Sequence, residues 1–262
     1  MMHIIPEPKD ITIHQGAGCF PFSAETALVN SVLAQAALED FQSFLKKNFH
    51  FGLTQSEGAT RLVLARMEEG DPEAYRIEVS EQEICISSAG EAGLFYALQT
   101  LKQILLTNGC KIPSLSINDA PLYHYRGFML DVGRYFYPVE EVKHFLDLMA
   151  VHKLNIFHWH LTEDQGWRVE IKKHPRLTEF GSKRSHTNFG FRPHSGFYTQ
   201  EDIREVVAYA HSKYIKVIPE IDMPGHMQSA IACYPELSCF NRSLPVATHW
   251  GVKHDTVSYT HL

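Results

Sequence analysis

The sequence predicts an α/β protein in two parts: a small α+β domain, then the first units of a truncated (β/α)8 barrel. Three observations predict it. From about residue 125 apolar strands alternate with helical patterns, as expected of βα units on a parallel sheet. Polar clusters follow the strand ends, Asp131 and Arg134, His158 to Asp164, and Glu220 to His226. Barrel active sites are assembled at such ends, whereas a doubly wound sheet would carry a Gly-rich phosphate loop after its first strand, and Gly133-Arg134-Tyr135 is not one.

In chain order, Ile11–Ile13 reads as a short strand. Residues 24–48 read as one helix, through the spacing of Ala27, Leu28, Val32, Leu33, Ala36, Ala37, Phe41, Phe44 and Leu45. Arg61–Ala65, Tyr75–Val79 and Glu83–Ser87 read as strands punctuated by turn signals such as Gly70-Asp71-Pro72. Residues 89–107 read as a second helix with Leu94, Leu98, Leu101, Ile104 and Leu105 on one face. No polar cluster converges here, so residues 1–120 are expected to be a structural or positioning domain. Asn118-Asp119-Ala120-Pro121 is the expected boundary to a second domain, 121–262.

Gly127–Val132 is a near-continuous apolar strand, the pattern of a strand covered on both faces. Pro138 opens a helix striped by Val139, Val142, Phe145, Leu146 and Met149. Asn155–Leu161 is the second strand. Alternation sends His158 and His160 to one face, Phe157 and Trp159 to the other. Two imidazoles followed by Glu163 and Asp164 are costly to bury without a purpose. A core strand with satisfied histidines is the plainer account. Thr199 caps a helix to Tyr214, with Asp202 in the box position. Ile215–Ile221 is the third strand, followed at once by Asp222-Met223-Pro224-Gly225-His226.

Composition excludes several classes. With 262 residues, 44% apolar and 21% charged, the chain reads as globular, and a net charge of −6 argues against a nucleic-acid partner. No apolar run is long enough for a membrane span. The first ten residues lack a basic n-region and an apolar h-region, so no signal peptide is expected. Five cysteines without CxxC spacing predict neither a zinc site nor a disulfide framework.

Three long motifs, Tyr125–Phe136, His158–Arg168 and Pro219–His226, resemble the first three strand ends of glycoside hydrolase family 20, the β-N-acetylhexosaminidases. The N-terminal half resembles that family's small α+β domain. The resemblance implies removal of terminal, non-reducing β-linked N-acetylhexosamine. The implied mechanism is retaining and substrate-assisted, the acetamido oxygen serving as nucleophile. Neither metal nor organic cofactor is implied, the partner is an N-acetylhexosamine-containing glycan, and the parent protein would act outside the cytoplasm.

Residue by residue, Arg134 matches the arginine that grips ring hydroxyls, a task suited to a fixed fork of donors. An ion pair with Asp131 is the alternative for it. Glu163 and Asp164 match the paired acids that, with His226, support the acid/base Glu. Glu163 stands where Asp is common, so which of the two pairs with His226 stays open. A loop or capping role is the plainer reading of His226. Trp159 and Trp167 are candidates to stack on sugar, with a core role favoured for Trp159.

The family's Asp-Glu pair is absent, for no Asp-Glu dipeptide occurs in the 262 residues. Residues 126–262 are also about half of the roughly 250 residues of a full barrel. The tail after Asp255 departs from the family pattern. The chain alone is therefore expected to be inactive, and its incomplete barrel to self-associate. Two alternatives remain: a metal-dependent barrel hydrolase built on His158, His160, Asp164 and His226, and a non-catalytic carbohydrate-binding fragment.

Overall fold

The computed structural model describes residues 3–31, 34–55, 58–187, 190, 192–251 and 253. The tail Thr256–Leu262 lies outside them. The chain forms two compact units. Met1–Arg126, Leu148–Asn155 and Ser212–Tyr214 make the first; Gly127–Asp147, Ile156–His211 and Ile215–Leu262 make the second.

The first unit carries strands β1 (Asp10–Ile13), β2 (Cys19–Pro21), β3 (Ala27–Asn30), β4 (Arg61–Arg66), β5 (Tyr75–Val79), β6 (Glu83–Ser88), β7 (Lys111–Pro113) and β8 (Leu115–Asp119). Its helices are α1 (Gln35–Phe49) and α2 (Glu91–Asn108). Six strands form one mixed sheet in the order β1-β8-β5-β6-β4-β3. β2 and β7 pair separately. Alternate residues of the sheet, among them Leu62, Leu64, Ile77, Ile84, Ile86 and Ile117, are fully buried, as a half-covered sheet requires. The expected stripe of α2, from Leu94 to Leu105, is buried with them.

The single helix expected over 24–48 is corrected. Ala27–Asn30 is instead a strand, paired in parallel with Arg61–Leu64 at the sheet edge. The helix begins only at Gln35. Apolar spacing at Ala27 and Leu28 fits both periods, and a partner 34 residues away decides between them.

The second unit is built on β9 (Gly127–Asp131), the part of α3 (Val139–Val151) up to Asp147, β10 (Ile156–His160), a tight hairpin of β11 (Thr162–Glu163) and β12 (Gly166–Trp167), and α4 (Arg176–Glu179). Then come β13 (Lys183–Arg184), β14 (His194–Ser195), α5 (Gln200–Ser212), β15 (Lys216–Glu220) and α6 (Gln228–Cys233). β9, β10 and β15 form a parallel sheet in the order β15-β10-β9. Its register sets Asp131, His160 and Glu220 abreast at the C-terminal strand ends.

Phe145 of α3 packs on Phe128 and Phe157, with ring centroids 5.3 and 5.9 Å away. The capping box of α5 forms as read: Thr199 Oγ1 accepts from the Asp202 N–H at 3.0 Å, and Asp202 Oδ2 accepts from the Thr199 N–H at 2.8 Å. The expectation that β9 is covered on both faces is not met. Phe128 is 53% and Met129 46% exposed, because β9 is an edge strand among the described residues.

Candidate active site

Glu163 is the centre of the polar cluster. The β11–β12 hairpin turns on Asp164 and Gln165 and carries the Glu163 side chain at 1% exposure. Gly133, at the end of the first strand, passes so close that a Cβ there would lie 2.7 Å from Glu163 Cβ. Only glycine permits that approach.

One oxygen of Glu163 faces both Arg134 and His226. Its Oε1 lies 2.5 Å from Arg134 Nη2 and 2.8 Å from His226 Nδ1. Its Oε2 accepts the Asp164 N–H at 2.7 Å. Burial raises the Glu163 carboxyl above its usual range, and the Asp164 N–H, Arg134 and His226 pull against it. Arg134 pairs with Asp131 as well, through both its guanidinium and its backbone N–H. Burial alone would lower the Arg134 pKa, but Asp131 and Glu163 raise it, so the guanidinium stays charged. Its side chain is still 44% exposed, leaving surface for a ligand beside the ion pairs.

The question left open between Glu163 and Asp164 has a geometric answer. Asp164 Oδ2 is 3.9 Å from His226 Nδ1, while its Oδ1 accepts the Gln228 N–H at the start of α6. Ser229 Oγ donates to the Glu163 carbonyl at 2.6 Å, and the Asp222 N–H donates to Thr162 Oγ1 at 2.9 Å. Asp164 therefore ties the hairpin to the loop after β15, and Glu163 is the nearer of the two acids to His226. His226 adopts a φ of 56°, an uncommon backbone region for a residue with a side chain.

Arg168 is a further member that the sequence motif contained without revealing its task. It is fully buried and has no carboxylate partner among the described residues. Its guanidinium donates to four carbonyls: Val132 (3.1 Å), Gly133 (3.1 Å), Ser182 (2.6 Å) and Gly196 (2.9 Å). Burial, then Arg184, brings its pKa down to about 9. A Cβ on Gly166 would lie 2.3 Å from this guanidinium. Arg168 thus pins the Gly133 turn from which Arg134 projects. No spacing signal marks the carbonyls it gathers, since they come from three separate segments.

The histidines of β10 divide. His158 Nε2 lies 2.5 Å from Glu220 Oε2. His160 is 5% exposed, its nitrogens 3.9 Å from Asp131 Oδ1 and from Glu220 Oε1. The quartet His158, His160, Asp164 and His226 does not come together as a metal site. Among the described residues, the two groups whose donor atoms gather within 4.8 Å are His160, Glu220, Asp222 and Glu163, Asp164, His226. In the second group His226 Nδ1 lies 2.8 Å from Glu163 Oε1. Trp159 is fully buried, the core role favoured for it. Stacking by Trp167 is corrected: it is 5% exposed, and its Nε1 donates to the Val169 carbonyl at 2.8 Å.

Comparison with known proteins bears on this geometry. Residues 123–261 match the family model "Glycosyl hydrolase family 20, catalytic domain", and residues 1–120 match "Glycosyl hydrolase family 20, domain 2". The chain belongs to glycosyl hydrolase family 20. A β-hexosaminidase of Porphyromonas gingivalis is 47% identical over 192 residues, 70% of this chain and 24% of that protein. The family-20 exo-β-N-acetylglucosaminidase of Vibrio harveyi, solved with N-acetylglucosamine, superposes with a TM-score of 0.82 at 37% identity, over 90% of this chain and 38% of that one. The family-20 β-N-acetylhexosaminidase of Streptomyces coelicolor gives a TM-score of 0.84 at 33% identity, over 97% of this chain and 53% of its own. The chain thus spans between about a quarter and about half of the length of these relatives.

Proposed function

We propose that these residues are the N-terminal portion of a β-N-acetylhexosaminidase that removes terminal, non-reducing β-linked N-acetylhexosamine with retention, the substrate's acetamido oxygen acting as nucleophile. In this reading residues 1–120 are the accessory α+β domain. Residues 121–262 contribute the first three βα units of the catalytic (β/α)8 barrel. The protein acts outside the cytoplasm, on N-acetylhexosamine-containing glycans; the Vibrio harveyi enzyme was solved with the monosaccharide N-acetylglucosamine.

The observation that carries the proposal is the single Glu163 oxygen held between Arg134 and His226. Arg134 presents an exposed fork of charged donors, fit to bind neighbouring ring hydroxyls. Glu163 fixes that fork and holds His226 through Nδ1, which leaves Nε2 to orient a further carboxyl group. Asp164 fixes the hairpin that carries Glu163. The acid/base Glu and the Asp that orients the acetamido group are supplied by residues other than these 262, which contain no Asp-Glu dipeptide.

The test is hydrolysis of an aryl β-N-acetylglucosaminide. The 262-residue chain alone is expected to release no aryl alcohol, and measurable turnover would overturn the assignment of the acid/base elsewhere. A polypeptide that carries these residues together with the Asp-Glu pair is expected to be active. In it, Arg134→Ala is expected to lower kcat/KM by about 100-fold, the worth of roughly two charge-assisted hydrogen bonds. Unchanged kcat/KM would remove Arg134 from the sugar site.

A further inference from the structure

The first unit contains a cavity of about 530 Å³ that the glycosidase reading does not use. Its volume is in the range that accepts small ligands. Its open apolar wall is formed by Pro121, Leu122 and the exposed Tyr123, while Tyr75 and Tyr96, 3% and 1% exposed, stand behind it. Lys153 reaches the same wall and is 4% exposed.

The Lys153 ammonium is the unusual group. It donates to Tyr75 Oη at 2.8 Å and to Asp119 Oδ2 at 3.1 Å. An ammonium has three donors, so one is left over, and among the described residues no third acceptor meets it. Asp119 is also engaged elsewhere: its Oδ2 accepts from Tyr75 Oη at 2.6 Å, and its Oδ1 accepts the Lys9 N–H at 3.1 Å. A buried donor without an acceptor is costly. Lys153 is also left-handed, with φ 57°, at the end of α3, where its N–H bonds to the Ala150 carbonyl. Glycine is the usual residue there, and a side chain costs about 1 kcal/mol. Two more cations, Lys9 and Arg126, stand on the wall against two carboxylates, Glu7 and Asp119.

We propose that this cavity is a binding site for a small carboxylate with a flat apolar body, its carboxylate accepting the spare Lys153 donor and its ring lying against Tyr123, Pro121 and Leu122. Nothing in this site depends on the sugar chemistry of the second unit.

Benzoate is the probe, with benzamide as its uncharged counterpart, titrated into the isotope-labelled 262-residue chain and followed by NMR. Benzoate is expected to saturate one site, with shifts confined to Tyr75, Tyr96, residues 120–123 and Lys153. Benzamide should bind about tenfold more weakly, the usual worth of one charge-assisted hydrogen bond. Ala120→Trp fills the cavity from a half-buried position on its wall and should abolish binding while the rest of the spectrum is kept. Because Lys153→Met alone would strand Asp119, it is paired with Asp119→Asn, and this double variant should bind benzoate and benzamide equally. Equal binding of the two probes by the unaltered chain, binding that survives Ala120→Trp, or no perturbation at millimolar benzoate would each overturn the proposal.

Discussion

Glu163 lies against the Arg134 guanidinium and the His226 imidazole, yet sits where burial disfavours its charge. The sign of its contribution follows. Its folded pKa is raised above the ordinary 4.5, so between these two values the folded chain holds a proton that the unfolded chain has released. Stability therefore falls as pH rises through that window and levels off above it. Glu163→Gln removes this titration. The unfolding free energy of the wild type, minus that of the variant, should decline across the window and stay flat beyond it. Urea denaturation at a series of pH values measures this, and parallel curves would show that Glu163 is not perturbed. Arg168 gives a second test at this scale. Arg168→Met leaves four carbonyls, three of them buried, without their donor, so a loss of about 3 kcal/mol or more is expected in urea denaturation. Arg204→Ala, which removes only an exposed pair with Glu201, should stay within about 0.5 kcal/mol.

At the scale of elements, the α5 capping box was readable because all of its information lies within four residues. Thr199→Ala should cost about 1 kcal/mol, and the Thr199→Ala/Asp202→Ala double variant less than the sum of the singles, because the two side chains serve one another. Additive losses would mean that the box does not act as a unit. The same locality explains what else could be read. The helix over 89–107 and the three strands of the parallel sheet carry local patterns strong enough to stand alone. Ala27–Asn30 does not, since its strand character comes from pairing with Arg61–Leu64. The site was legible as a set of residues and not as a set of contacts. Adjacent acids do not announce which one faces His226. The two-residue turn at Asp164-Gln165 decides it, sending Glu163 to the cluster and Asp164 to the start of α6. The four carbonyls gathered by Arg168 were invisible for the same reason, being brought together only by tertiary structure.

For the whole molecule, the consequence lies in the parallel sheet. β9 and β15 are its edges, and among the described residues neither has a further strand beside it. On β9 the exposed side chains are Phe128 and Met129, at 53% and 46%. Beyond β15, Ile221 and Met223 are 40% and 59% exposed. Unpaired N–H and C=O groups flanked by apolar side chains are a template for pairing with another chain, and no lysine or proline interrupts Gly127–Asp131 to blunt its edge. The 262-residue chain is therefore expected to self-associate, its apparent mass in light scattering rising with concentration. Phe128→Lys with Met129→Glu places a charge on each side of the β9 pleat and should shift the population towards monomer, because any strand docking there would bury a charge. If association ran only through β15, this double variant would associate as the wild type does. A wild-type chain that stays a monodisperse monomer at every concentration would show that these edges do not seed pairing.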